Sequence, residues 1–226
     1  QPWGKVLSNT GDYGADFGWR SPIFPRLATE TKDPAILWLN GTLSYPIAAA
    51  YPLDMRARQK TFPEIQIAPG VQVPVDAYTL MVLDDLRKPV HPSRLPIPTQ
   101  FMDPARGIVT LRSSWRDDAT FVVFDGSQRP SAAQGHAHAS GGHFSLSALG
   151  EYFAIDTGRY SIEQEHHNVV IVDGKSGHVG DGRWRNSFHH AVLTGYEPGP
   201  FVDTAAVDSS QMSNCYWAKR TLGLVK

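Results

Sequence analysis

The chain has 226 residues, 41% of them hydrophobic, and a formal net charge of -1. That length accommodates one sizeable domain, or one domain plus part of another. The near-neutral balance argues against binding nucleic acid or membranes through bulk charge, so an acidic ligand would have to be held by local basic groups. The single cysteine, Cys215, excludes an internal disulfide, and no apolar run is long enough to span a bilayer.

The chain opens Gln1-Pro2-Trp3, with neither a methionine nor a signal-peptide pattern, and reads as starting at a cut. Helical signals come first. Ser21-Pro22 and Asp33-Pro34 each place a capping side chain before a proline at the first helical position. Gly41 follows Ile36, Leu37 and Leu39 as a C-cap. A third helix is expected from about Ala77 to Arg87, capped by Asp76. Proline-rich connections follow at Lys88–Pro92 and Leu95–Pro98, where proline blocks both a helix and a central strand.

From Gly107 the pattern changes to strands. Ile108–Leu111 and Thr120–Phe124 are β-rich runs separated by the turn-like Arg116-Asp117-Asp118. His143–Leu149 and Tyr152–Asp156, joined through Gly150-Glu151, read as a hairpin. Asn168–Val172 reads as another strand before the turn signal Asp173-Gly174. Further strands are expected at Ala191–Tyr196, Val202–Val207 and Trp217–Val225. The last of these looks like a strand in progress, so more sheet is expected to follow. The expected class is α+β: helical elements and a linker over residues 1–100, then an antiparallel sheet or sandwich over 101–226.

Eight of the nine histidines lie between His136 and His190. In Gly135-His136-Ala137-His138 the two imidazoles, two residues apart on a strand, would face one side. Asp156 closes the return strand of the hairpin, and His167 would open the next strand. Imidazoles and a carboxylate converging from neighbouring strands suit zinc, with a position left for water or a further ligand. A polar sheet face with no metal gives the same pattern less economically. His143 reads as exposed or merely hydrogen-bonded, and His166 as facing away from His167. Arg112, Arg116, Arg183 and Arg185 have the fork geometry to hold carboxylates or sulfates. As individual residues they read as surface groups, although Arg183-Trp184-Arg185 suits a sugar-and-anion surface.

The run Gly135–His138, Phe144-Ser145-Leu146, Leu149-Gly150-Glu151, Asp156-Thr157-Gly158 and His167–Gly174, together with Gly107–Trp115 before it, resembles the heparinase II/III-like polysaccharide lyases. The resemblance is specific over about 105–175 and weak over 1–100. It implies an N-terminal (α/α) toroid, of which residues 1–100 would be the last helices, followed by an antiparallel sheet domain. It also implies β-elimination on an acidic, uronic-acid-containing polysaccharide, and a periplasmic or secreted bacterial enzyme. By motif, His138, Asp156 and His167 match the family's metal ligands, and the metal, zinc, would be structural. His136 matches the sheet-domain histidine that faces substrate. Arg183, Arg185 and Tyr160 are the candidate substrate-binding residues. Ala139-Ser140 stands where the family often has an acidic residue. The family's tyrosine base and its helical Asn or His partners belong to the toroid, upstream of this chain, so the chain alone is expected to show little or no activity. No nucleic-acid or membrane partner is implied, and a homodimer is left open.

Two other classes compete. A cupin-like metal enzyme also sets His-x-His on a sheet, but it usually adds a glutamate shortly after the pair, and Ala139–Phe144 contains none. A non-catalytic carbohydrate-binding β-sandwich would show exposed aromatics and no ordered metal.

Overall fold

Alternating apolar residues build the molecule's sheets. The structure, a computed structural model, describes residues 27, 30–36, 38, 64–68, 71–74, 90–126, 138–156, 163–175, 177 and 190–226. The chain forms two compact units, one chiefly Asp16–Ile97 and the other chiefly Pro98–Lys226.

In the first unit, residues 34–36 are helical and Asp33 caps them, its Oδ1 accepting from the Ala35 amide at 2.8 Å. The Trp38 and His91 rings meet edge to face with centroids 4.7 Å apart. The unit also contains an antiparallel hairpin, β1 (Glu64–Ala68) and β2 (Val71–Pro74). This corrects the expectation that only helices and linker precede residue 100. Its signal was present in the sequence: isoleucine and valine alternate with polar residues on either side of Pro69-Gly70, a turn dipeptide. Of the helix expected after Ser21, Leu27, Glu30 and Thr31 are described and helical, and Thr31 Oγ1 donates to the Leu27 carbonyl at 2.6 Å; the segment from Ala77 to Arg87 lies outside the described residues. So does Gly41.

The second unit carries two antiparallel sheets. Five strands run in sequence order: β3 (Gln100–Asp103), β4 (Ile108–Arg112), β5 (Phe121–Asp125), β6 (His143–Ala148) and β7 (Glu151–Ala154). Three more, β8 (Val192–Glu197), β9 (Val202–Asp208) and β10 (Lys219–Val225), form the second sheet with β9 central. Val109, Leu111, Val122 and Phe124 of the first sheet pack with Ala205, Val207 and Leu224 of the second, and with Ala191, into one buried cluster. The unit is therefore a β-sandwich. The strands expected from Ile108 to Ala154 and from Val192 to Val225 are all present. β3, which follows a proline-rich stretch, was not foreseen. Among the described residues, no helix is long and apolar enough to cross a membrane.

Cross-strand register fixes which side chains share a face. Val109, Phe124 and Phe144 lie in one row, and Leu111, Val122 and Leu146 in the next, all toward the sandwich core. The intervening rows must point to the other face. They are Ile108–Asp125–His143, Thr110–Val123–Ser145 and Arg112–Phe121–Ser147. The outer face of the five-stranded sheet is thus polar in composition, yet Asp125, His143, Ser145 and Ser147 on it are buried.

Candidate metal centre

Three segments converge beside the His143 end of that outer face. The first is the loop from His138 into β6. The Gly142 amide donates to the Asp125 carbonyl, the His143 amide donates to the Ser140 carbonyl, and Ser140 Oγ donates to Asp125 Oδ2 at 2.9 Å. Gly142 adopts φ +81°, which favours glycine. Gly141 has no room for a side chain, because a Cβ there would lie 2.6 Å from the Ala191 Cβ. These constraints bring His138 in as a buried residue. His138 lies in irregular backbone rather than on the strand expected for Gly135–His138, and His136 lies outside the described residues.

The second segment is the end of the β6–β7 hairpin. Its turn is Leu149-Gly150, both residues with left-handed φ, one position before the expected Gly150-Glu151. Asp156 follows two residues after β7 and is buried.

The third segment carries His167. The sequence suggested a strand over Asn168–Val172 opened by His167. Instead, a single turn of 3-10 helix (Gln164–His166) ends at His167, and the following residues are irregular down to the tight Val172–Lys175 bridge around Asp173-Gly174. The physical reason is Asn168. Its amide N–H donates to His143 Nδ1 at 3.1 Å, and its side chain donates to the carbonyls of Phe144 (2.9 Å) and Ile155 (3.0 Å). These bonds tie the segment across the ends of β6 and β7 rather than alongside them.

Between these segments, one ligand atom each from His138, Asp156 and His167 lies within 4.8 Å of the other two, and all three residues are buried. The His138 and His167 rings have centroids 5.2 Å apart. His167 Nδ1 is 2.7 Å from Asp156 Oδ2. Toward a carboxylate that nitrogen is the donor, so His167 Nε2 keeps its lone pair. It is buried with no hydrogen-bond partner. A buried imidazole lone pair left unmatched is costly in an apolar protein interior and fits a cation. The nitrogen-and-carboxylate donor set is suited to zinc.

His143 belongs to this cluster, which corrects the reading that allowed it to be exposed. It is 0% exposed, its ring lies 5.7 Å from that of His167, and its Nε2 is 3.6 Å from Asp156 Oδ2. Because Nδ1 accepts from Asn168, the proton of the neutral ring sits on Nε2, turned toward the carboxylate. Burial pushes its pKa below the ordinary histidine value. Asp156 and Asp125 oppose that shift, while His167 and Arg220 add to it. A neutral His143 therefore faces Asp156 as a donor and has no lone pair to offer a metal. The signal in the sequence was alternation: once Phe144 and Leu146 are assigned to the core, His143 must share the outer face with Asp125.

His166 is half-exposed beside Glu163 and Glu165, as expected. Arg116 is exposed and bonds both oxygens of Asp118. Arg112, read as a surface residue, is in fact buried. Tyr160, Arg183 and Arg185 lie outside the described residues.

Comparison with known proteins gives a consistent likeness. Residues 100–208 match the family described as heparinase II/III-like, C-terminal. No curated protein matches the chain. Among solved structures, a heparinase III aligns with TM-score 0.59 at 12% identity over 98% of this chain and 29% of its own. Another heparinase III, with methylated lysines, aligns with TM-score 0.58 at 14% identity over 99% of this chain and 28% of its own. The heparan sulfate lyase HepC from Pedobacter heparinus aligns with TM-score 0.52 at 15% identity over 100% of this chain and 28% of its own. At these identities the alignments speak for the fold, and the chain spans under a third of the length of each of these structures.

Proposed function

We propose that the chain, whose residues 100–208 match the heparinase II/III-like C-terminal family, is part of a polysaccharide lyase that cleaves an acidic, uronic-acid-containing polymer by β-elimination. The observation that carries this reading is the buried His138–Asp156–His167 cluster, set at one end of the outer sheet face within a domain that matches that family. Zinc bound there would be structural. It would hold the loop before β6, the end of the β6–β7 hairpin and the 164–168 turn in one arrangement.

In β-elimination a base removes the weakly acidic proton beside the uronate carboxylate, and an acid protonates the departing glycosidic oxygen. The proton comes off only if the carboxylate's charge is neutralised or hydrogen-bonded. Asp156, His167 and His143 are buried beside one another, with His167 Nδ1 on Asp156 Oδ2 at 2.7 Å, so they hold position rather than exchange protons with substrate. His136, two residues before His138, is the sheet-domain histidine that the family likeness assigns to substrate. The general base would come from outside this chain.

The test uses the full-length protein. Incubation with unsulfated and sulfated uronic-acid polymers should produce the ultraviolet-absorbing double bond of elimination products. His136→Ala should lower turnover by about 10²-fold with metal content retained, whereas His138→Ala should lose metal and stability first. Absence of elimination on every such polymer refutes the lyase reading. In that outcome, sugar binding with no turnover would favour a non-catalytic carbohydrate-binding domain.

A further inference from the structure

The outer face of the five-stranded sheet has a second polar feature, at the end away from the metal centre. Arg112 pairs with Phe121, Phe121 with Ser147, and Ser147 with Tyr152, so these residues form one row across four strands. The row containing His143 lies on the same face, four residues along β5, about 13 Å away at the rise of an antiparallel strand. Phe101 pairs with Thr110 on this face and is 62% exposed, diagonally beside Arg112.

Arg112 is in an unusual position for a cation. It is only 5% exposed. Its guanidinium carbon is 4.0 Å from the Trp115 ring centroid and 4.8 Å from that of Phe121. Buried arginines are normally paired with a carboxylate. Yet the Arg112 guanidinium makes no hydrogen bond or ion pair among the described residues. Asp118, six residues along the chain, has both oxygens taken by Arg116. Desolvation lowers the Arg112 pKa to about 10, which still leaves it charged at neutral pH. The guanidinium is thus a buried charge whose position is fixed by its aromatic neighbours.

We propose that Arg112, framed by Trp115 and Phe121, is an oxyanion subsite for an acidic sugar, with the exposed Phe101 ring as the adjoining stacking surface. The fork of a guanidinium matches a carboxylate or a sulfate bidentately, and ring packing removes the freedom that would otherwise be lost on binding. Aromatic rings beside a fixed charge suit a pyranose ring bearing an acidic substituent. The inference rests on the reading of the ligand as an acidic polysaccharide, and it adds a second contact point on the sheet face that carries the metal centre.

Calorimetric titration of the chain with three probes tests it: an unsulfated oligouronate, a sulfated oligosaccharide without uronate, and a neutral oligosaccharide. At least one acidic probe should bind and the neutral one should not. Binding of the oligouronate identifies the anion as carboxylate, and binding of the sulfated probe alone identifies it as sulfate. Arg112→Gln should weaken the acidic probe roughly tenfold or more. Arg112→Lys, which keeps the charge but loses the planar fork, should show a smaller loss. Arg116→Gln should change nothing. The proposal is overturned if neither acidic probe binds the native chain, if the neutral probe binds equally well, or if Arg112→Gln, folded by circular dichroism, binds with native affinity. Should Arg112→Gln fail to fold, native affinity in Arg112→Lys overturns it. Elimination activity that persists with Arg112-independent binding sinks this subsite alone. Arg112-dependent binding without elimination sinks the lyase reading alone.

Discussion

Asn168 has more bonds at the candidate metal centre than any of the proposed ligands needs for itself. Its side chain bridges the Phe144 and Ile155 carbonyls while its backbone bonds His143, so it sets where the adjacent His167 lies. Asn168→Ala removes the two side-chain bonds and keeps the backbone one. The expected result is a loss of zinc affinity of about 10–100-fold, the usual effect of removing a group that orients a metal ligand. Competition against a chromophoric chelator measures it, and unchanged affinity would show that His167 is positioned without Asn168. Gly141 makes a separate prediction. A methyl there meets the Ala191 Cβ at 2.6 Å, and that atom cannot move without its backbone. Gly141→Ala should therefore cost about 1–3 kcal/mol by chemical denaturation. Of this residue-scale detail, the sequence made visible which residue types cluster, His138, Asp156 and His167. It did not show that His143 and Arg112 are buried, because burial of a polar residue depends on what packs over it, and periodicity reports only the face.

At the scale of elements, the β6–β7 hairpin and the strands on either side of it could be read from alternation because one face of each is apolar. The run Asn168–Val172 misled for the same reason. Its valines and isoleucine have strand propensity, but the Asn168 backbone N–H is spent on the His143 side chain, and the Asn168 side chain anchors the segment to the Phe144 and Ile155 carbonyls. β3 was missed because prolines precede it, although Met102 faces the core. An element from the second sheet supports the centre. Arg220 of β10 donates through Nη1 to the carbonyls of Gly142 (2.8 Å) and Asn168 (2.5 Å). It thus ties the loop before β6 to the residue following His167. Arg220→Met should lower stability by about 1–3 kcal/mol, as expected for charge-assisted bonds to buried carbonyls, and should weaken zinc binding with it. Thermal melts with and without zinc separate the two effects. A variant that loses stability but keeps zinc affinity would remove Arg220 from the support of the centre.

For the molecule as a whole, stability rests on the layer between the two sheets. Phe124 is fully buried in it, and Phe124→Ala should cost about 3–5 kcal/mol. A urea midpoint shifted by much less would mean that the layer repacks easily. The sandwich was legible in the sequence as a switch from capped helices to short alternating strands. The β1–β2 hairpin left only a short signal, a few alternating residues about Pro69-Gly70 that carry little weight between helical ones. The burial of Asp125, His143, Ser145 and Ser147 on the outer face was not legible, since composition alone does not reveal it. The proposed centre stands at one end of that face, and its metal is the most direct point of test. Elemental analysis of protein purified without chelator should find about one zinc per chain, lost in His138→Ala and in His167→Ala but retained in Arg116→Gln. No stoichiometric metal in the native chain, or zinc that persists when His138 and His167 are both replaced, would contradict it.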